Sequence, residues 1–392
     1  MADAFILSAV RTPIGKYLGA LADVPSPKLG SLAVAEALRR AQVPVKKVDE
    51  VIMGCVLQAG LGQNPARQAA LQAGLPDTIA AFTVNKVCGS GLKAVMLASQ
   101  AIRAGDADLL VAGGMESMSR APYLLFGART GWKVGDQKAV DAMIQDGLCC
   151  AFENWQMGEA ADHIASQCGV SRQEQDRFAV ESQRRAASAW ESGAFTGEVV
   201  PVTVGTGPKA TTVARDEGIR PDTTLEGLQR LKPAFREGGT VTAGNSSLLS
   251  DGAAAVVVGS GQTAKSLGIK PMARIVAYST SGVEPKDIFI APVLAVRQVL
   301  ERANLRSQDI DLFELNEAFA AQMLACNKEL HLDESRLNVN GGAIAIGHPI
   351  GASGARVLVT LLYALEHGGL KRGLASLCLG GGNAVAMIVE RM

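Results

Sequence analysis

The stretch Val48-Asp49-Glu50-Val51-Ile52-Met53-Gly54 returns later in the chain as Ile310-Asp311-Leu312-Phe313-Glu314-Leu315-Asn316. In both, acidic residues lead into a short apolar run that ends at a turn-forming residue, which reads as a buried strand. Downstream of each copy the likeness continues. Val84-Asn85 precedes a Gly-rich turn, and so does Val339-Asn340. Asp108–Gly114 (DLLVAGG) then parallels Ala375–Gly381 (ASLCLGG). Three matches in the same order, at a nearly constant offset, favour an internal duplication. Two α/β halves related by a pseudo-twofold would pack sheets and helices in layers, with a site at their junction.

The texture of the chain agrees with this division. Residues 1–118 alternate short apolar runs with alanine-rich helical patterns, and Phe5–Val10, Val51–Leu57, Phe82–Val84 and Leu109–Ala112 read as buried strands. This first half is expected to be completed by about residues 250–269. Residues 270–392 return to the same texture, with strands expected at Ala273–Tyr278, Leu312–Leu315 and Leu374–Leu379. Residues 119–249 are more charged and less regular, as suits a loop domain inserted over the junction. Within it, Ser171 and Glu174 form a capping box and Gly193 a stop, so a charged helix is predicted over Arg172–Ser192.

Composition narrows the function classes. The 38 basic and 38 acidic residues balance, which gives no footing for nucleic acid or an anionic membrane. No apolar run is long enough to span a bilayer. The start, Met1–Leu7, has no basic leader and the end, Val389–Met392, is no peroxisomal signal, so a cytoplasmic location is expected. The seven cysteines are not clustered as metal ligands, and their odd number suits reduced thiols.

Four motifs can carry chemistry. In Val84-Asn85-Lys86-Val87-Cys88-Gly89-Ser90-Gly91-Leu92 a strand gives way to a helix with Cys88 at its start. The helix dipole there is expected to lower the thiol pKa. On this motif alone, a packing cysteine and a nucleophile are equally open. The second motif, residues 338–356 (NVNGGAIAIGHPIGASGAR), sets five glycines around His348, with a helix expected after Gly354. It allows close backbone approach to a ligand. The third places Cys378 at the end of a strand before Gly380-Gly381-Gly382, where a thiol could move a proton and the Gly380 amide could face an oxyanion. The fourth is Asn316-Glu317-Ala318-Phe319, whose asparagine could hold a water, cap a helix, or both. In a doubly wound fold all four gather at the carboxyl ends of the strands.

These motifs, with Val10-Arg11-Thr12-Pro13-Ile14-Gly15 and Gly113–Ser119 (GGMESMS), resemble the thiolase family over the whole chain. The resemblance implies duplicated α/β halves in an αβαβα arrangement and a two-step acyl transfer. Cys88 would be acylated while His348 accepts its proton, and Cys378 would remove an α-proton from acetyl-CoA. The reverse is CoA-dependent cleavage of a 3-oxoacyl-CoA such as acetoacetyl-CoA. Two oxyanion holes are implied: His348 with a water held by Asn316, and the amides of Cys88 and Gly380. The same resemblance carries CoA contacts onto Leu148, Met157, Arg220, Phe235, Ala243, Gly244, Ser247, Ala318 and Phe319. It implies no permanent cofactor, no metal, and a homotetramer built from dimers.

Two departures fall near the expected acyl end. Gln156-Met157-Gly158 stands where biosynthetic thiolases have His-Met-Gly, and Ile288–Leu294 (IFIAPVL) where the family favours Met-Gly-x-Gly-Pro-x-Pro. Ile288 and Phe289 are therefore acyl-pocket candidates. A decarboxylating ketoacyl synthase would need a second active-site histidine, and a thioesterase would not need Cys378.

Overall fold

Strand pairing in the computed structural model, which describes residues 2–392, repeats between the two halves. In the first half, β1 (Ala4–Arg11), β2 (Glu50–Gly54), β3 (Ala80–Val84), β4 (Leu109–Ser117) and β5 (Ser250–Ser260) pair in the order β3-β2-β4-β5-β1. In the second, β6 (Ala273–Gly282), β7 (Leu312–Leu315), β8 (Arg372–Leu379) and β9 (Asn383–Arg391) pair in the order β7-β8-β9-β6. The matching pairs also agree in direction. β2–β4 and β7–β8 are parallel, while β4–β5 and β8–β9 are antiparallel, as are β5–β1 and β9–β6. The halves meet edge to edge through Phe5 opposite Arg274 and Ile6 opposite Ala273.

The duplication is imperfect at one strand. The partner expected for β3 at Val339 is reduced to a single bridge between Phe313 and Leu337. Asn338 turns into the left-handed region at φ 47, and its side chain takes over the ladder by bonding the amide and carbonyl of Leu315.

Helices complete the layers. α1 (Ser26–Ala41) and α2 (Pro65–Gln72) cover the outer face of the first half, and α6 (Ala291–Ala303) that of the second. Between the halves run α3 (Ser90–Ala104) and α8 (Ile350–His367), packed on each other and on strands of both halves. A helix so placed must be apolar nearly all round, and α8 is buried from Ile350 to Leu362. Gly91 and Gly354 let these two helices touch at backbone distance. A Cβ on Gly91 would stand 2.7 Å from Ala355 N, and one on Gly354 would stand 2.4 Å from Leu92 N. The close crossing brings the amino ends of α3 and α8, and so Cys88 and His348, to the same end of the molecule.

The chain between β4 and β5 leaves the sheet and returns to it. It carries α4 (Met157–Gln167) and α5 (Arg172–Glu191), the latter opened by the expected Ser171/Glu174 capping box. Buried Arg11 of β1 pins the returning segment through Glu198 at 2.5 Å and both carboxylate oxygens of Asp216. α7 (Ala320–Leu330) lies against α4 and α5. Among the described residues no helix is long and apolar enough to cross a membrane.

Candidate active site

Cys88 is presented by a strained turn. After β3 the chain bends through Val87 at φ 46, a conformation rare for a β-branched residue. Local bonds hold it there. Val87 N donates to Asn85 Oδ1 at 3.0 Å, Ser90 Oγ donates to Val87 O at 2.6 Å, and Lys86 N donates to Ser90 Oγ at 2.8 Å. The helix follows at once, as expected, but the expected low thiol pKa does not. Burial pushes the Cys88 thiol up to about 12, with the Gly380 and Cys88 amides pulling the other way. The helix dipole acts within its first turn and is outweighed here by loss of water.

His348 immediately precedes α8. That helix starts at Ile350, four residues before the glycine after which it was expected, with Pro349 at its cap position in an extended conformation. Burial, aided by the charge of Arg356, lowers the imidazole pKa to about 3, so the ring is neutral. Its Nδ1 lies 2.6 Å from Ser353 Oγ, which itself donates to Pro349 O at 2.9 Å. Ser353 has one hydroxyl proton and spends it on Pro349, so Nδ1 carries the ring proton and Nε2 is left as an acceptor.

Asn316 Nδ2 is 3.4 Å from that Nε2. Asn316 follows β7 and caps no helix, since α7 begins at Ala320 with Phe319 at its cap position. Its buried Oδ1 has no partner among the described residues. Cys378 closes the group from β8. Burial raises its thiol pKa, and the nearby Cys88 adds to the rise.

Cys88, His348 and Cys378 line one cavity of about 350 Å³. Its other walls include Leu148, Met157, Phe235, Ala243, Ser247, Ile288, Phe289, Ala318 and Phe319, all expected from the sequence, together with Ile144, Leu249 and Ile350, which were not. Phe289 is buried and meets Phe319 edge-on at 5.3 Å. Asn316 and Gly380 sit just behind the wall, reaching it through Nε2 of His348 and the thiol of Cys88. Arg220 is exposed and Gly244 packs under Leu228 and Leu231, and neither forms part of the wall. A second cleft of about 390 Å³ between α5 and α7 holds neither thiol nor imidazole.

Two supporting residues escaped the sequence reading. Ser353 is one small residue among glycines, with nothing to mark it. Glu116, at the end of β4, is buried and accepts from Val56 N, Leu57 N and Gly351 N at 3.0, 3.2 and 2.9 Å. It thereby ties the first half to the first turn of α8. A glutamate inside an apolar run is a visible signal of such a role.

The arrangement sets two thiols and a neutral imidazole around one largely apolar cavity. Comparison with known proteins agrees along the full length. Residues 4–262 match the thiolase N-terminal domain and residues 269–391 the thiolase C-terminal domain. The acetyl-CoA acetyltransferase of Cupriavidus necator is 54% identical over 393 residues, with 100% of each chain covered. That of Escherichia coli K12 is 53% identical, again with 100% of each covered. The crystal structure of the Bacillus anthracis acetyl-CoA acetyltransferase superposes with a TM-score of 0.98 at 44% identity, covering 100% of this chain and 99% of that one. The chain belongs to the thiolase family.

Proposed function

We propose that this thiolase transfers acetyl groups between CoA thioesters, condensing two acetyl-CoA to acetoacetyl-CoA or cleaving acetoacetyl-CoA with CoA. The observation that carries the reading is the meeting of Cys88, His348 and Cys378 in one narrow apolar cavity. In the first step Nε2 of His348 takes the Cys88 proton, the thiolate attacks the acyl carbon, and the C–S bond to CoA breaks. Cys378 gives its proton to the departing CoA thiolate and is left as the base. In the second step Cys378 takes an α-proton from acetyl-CoA, the enolate carbon attacks the Cys88 thioester, the C–S bond to Cys88 breaks, and the Cys88 thiolate recovers its proton from His348.

The same proton count assigns the donors. The imidazolium formed in the first step stays charged, and its Nε2–H faces the enolate oxygen of the second, with a water on Asn316 Oδ1 beside it. The Cys88 and Gly380 amides face the tetrahedral oxyanion. Both thiols and the imidazole are neutral before substrate enters, so charge forms only where fixed donors await it.

The wall residues Leu148, Met157, Phe235, Ala243, Ser247, Ala318 and Phe319 suit the pantetheine arm. Arg220 is left for the nucleotide end outside the cavity. We read residues 119–249 as an inserted cradle between the halves 1–118, completed by about 250–269, and 270–392. We take the protein for a cytoplasmic enzyme, as its seven free thiols suit a reducing compartment. We also take it for a homotetramer, because Tyr123, Leu125 and Phe126 stand 52 to 65% exposed on the insertion. Light scattering that finds a stable monomer would contradict the oligomer.

Neither His163, His331 nor His367 lines the cavity, which removes the second histidine a decarboxylating condensing enzyme needs. The direct test is incubation with acetoacetyl-CoA and CoA, followed by chromatography. Acetyl-CoA should appear in twofold molar yield over substrate consumed. Intact acetoacetyl-CoA, or its plain hydrolysis, would overturn the reading.

A further inference from the structure

We infer that Lys86 and Asn383 form a positioning pair that fixes the two backbone amides of the acyl-enzyme step relative to each other. The inference rests on the reading of Cys88 as the acylated thiol. The amides of Cys88 and Gly380 both hold the Cys88 thiol pKa below where burial alone would put it, yet they come from opposite halves of the molecule. One follows β3 and the other follows β8, strands well separated in the sheet order.

Each loop is well braced internally. The first is held by the Asn85, Ser90 and Lys86 bonds around Val87. In the second, Asn383 is the first residue of β9, paired with Leu379 on one side and with Gly282 on the other. Its Nδ2 donates to Gly381 O at 3.4 Å.

Between the loops the bracing is thin. Among the described residues no backbone–backbone hydrogen bond joins 85–89 to 379–383. Their side chains interlock across glycines. A Cβ on Gly380 would stand 3.1 Å from Val87 Cγ1, and one on Gly89 would stand 2.6 Å from Leu379 Cδ2. Such apolar contacts keep the loops together but do not fix their sliding. The directional link is Lys86 Nζ donating to Asn383 Oδ1 at 3.2 Å. It spans the half-to-half junction one residue before the strained Val87 and three residues after Gly380. Oxyanion donors act through geometry, and displacement by a fraction of an ångström weakens both.

A double-mutant cycle tests this. Lys86→Met, Asn383→Ala and the double variant are assayed for thiolysis of acetoacetyl-CoA, with KM for CoA and the melting temperature measured alongside. Each single change should lower kcat about tenfold, with KM within about twofold. The double variant should fall no more than about twofold below the worse single, because both break one link. Lys86→Arg, which still reaches Asn383, should recover most of kcat. Multiplying effects, a fall of about a hundredfold in the double variant, would overturn the pair and leave Lys86 acting on the thiol by charge alone. Unchanged kcat in either single variant would overturn it too, and so would losses matched by Lys86→Arg. An inactive wild type would instead sink the proposed reaction and not the pairing argument alone.

Discussion

Ser353 Oγ stands 2.6 Å from Nδ1 of His348 and donates its own proton to Pro349 O, one turn back on the same helix start. That single contact decides which ring nitrogen can act as a base. Ser353→Ala removes the acceptor for Nδ1–H, so the proton is free to sit on Nε2, the nitrogen proposed to take the Cys88 proton. The variant should react with iodoacetamide at Cys88 at least about tenfold more slowly than wild type near pH 7. Its melting temperature and CoA affinity should hardly change. Alkylation at the wild-type rate would remove Ser353 from the site.

Cys378 protonates the departing CoA in the first step, which water can also do, and is indispensable only as the base of the second. Cys378→Ala leaves the nucleophile and its base in place, so [14C]acetyl-CoA should still label the protein at Cys88. Condensation and cleavage should fall by about a thousandfold or more, the size of losing a general acid/base in a fixed geometry. A variant with near-normal thiolysis would reduce Cys378 to a packing residue.

Glu116 gives stability a pH dependence of known sign. Burial raises its carboxyl pKa from 4.5 to about 7, against the pull of the Val56, Leu57 and Gly351 amides. The folded protein therefore keeps a proton here that the unfolded chain has released. Its contribution is complete below about pH 4.5 and is lost as pH rises to about 7, worth roughly 3 kcal/mol for a shift of this size. Glu116→Gln cannot titrate. The melting temperature of wild type relative to this variant should fall between pH 5 and pH 8. A flat difference would show that the carboxyl ionises normally.

We take the wall at Phe289, buried beside Ile288 and edge-on to Phe319, for the acyl end of the cavity. A ring there leaves little room beyond an acetoacetyl group, since packed walls resist added volume. Thiolysis rates for 3-oxoacyl-CoA esters of four to ten carbons should drop steeply with length. Phe289→Gly should flatten that profile. Faster cleavage of the longest ester by wild type would contradict this, as would an unchanged profile in the variant.

The duplication was legible because β2 and β7 carry nearly the same run of acidic and apolar residues, and both copies keep their Gly-rich turns. The thiols and the imidazole were legible for the same reason, each sitting where a strand or loop meets a glycine cluster. What the sequence could not give was set by packing. The Cys88 thiol is raised where the helix start alone suggested lowering, because the cost of burial depends on walls drawn from residues 144–350. β9 was missed because Asn383–Arg391 follows its neighbour after only Gly380–Gly382, and the glycines read as an end. Asn338 replaces a strand with a left-handed turn, a choice fixed by its bonds to Leu315. Lys86 gains its role only from what the other half places against it, and Ser353 from the turn that sets the His348 ring beside it.

The central claim is that Cys88 carries the acyl group, and peptide mapping tests it most directly. The protein is mixed with acetyl-CoA alone, quenched in acid and digested, and the peptides are analysed by mass spectrometry. One acetyl group should be found, on the peptide containing Cys88, and free CoA should return the protein to its starting mass. Acetyl on Cys378 instead, or no acetyl on either thiol, would contradict the account.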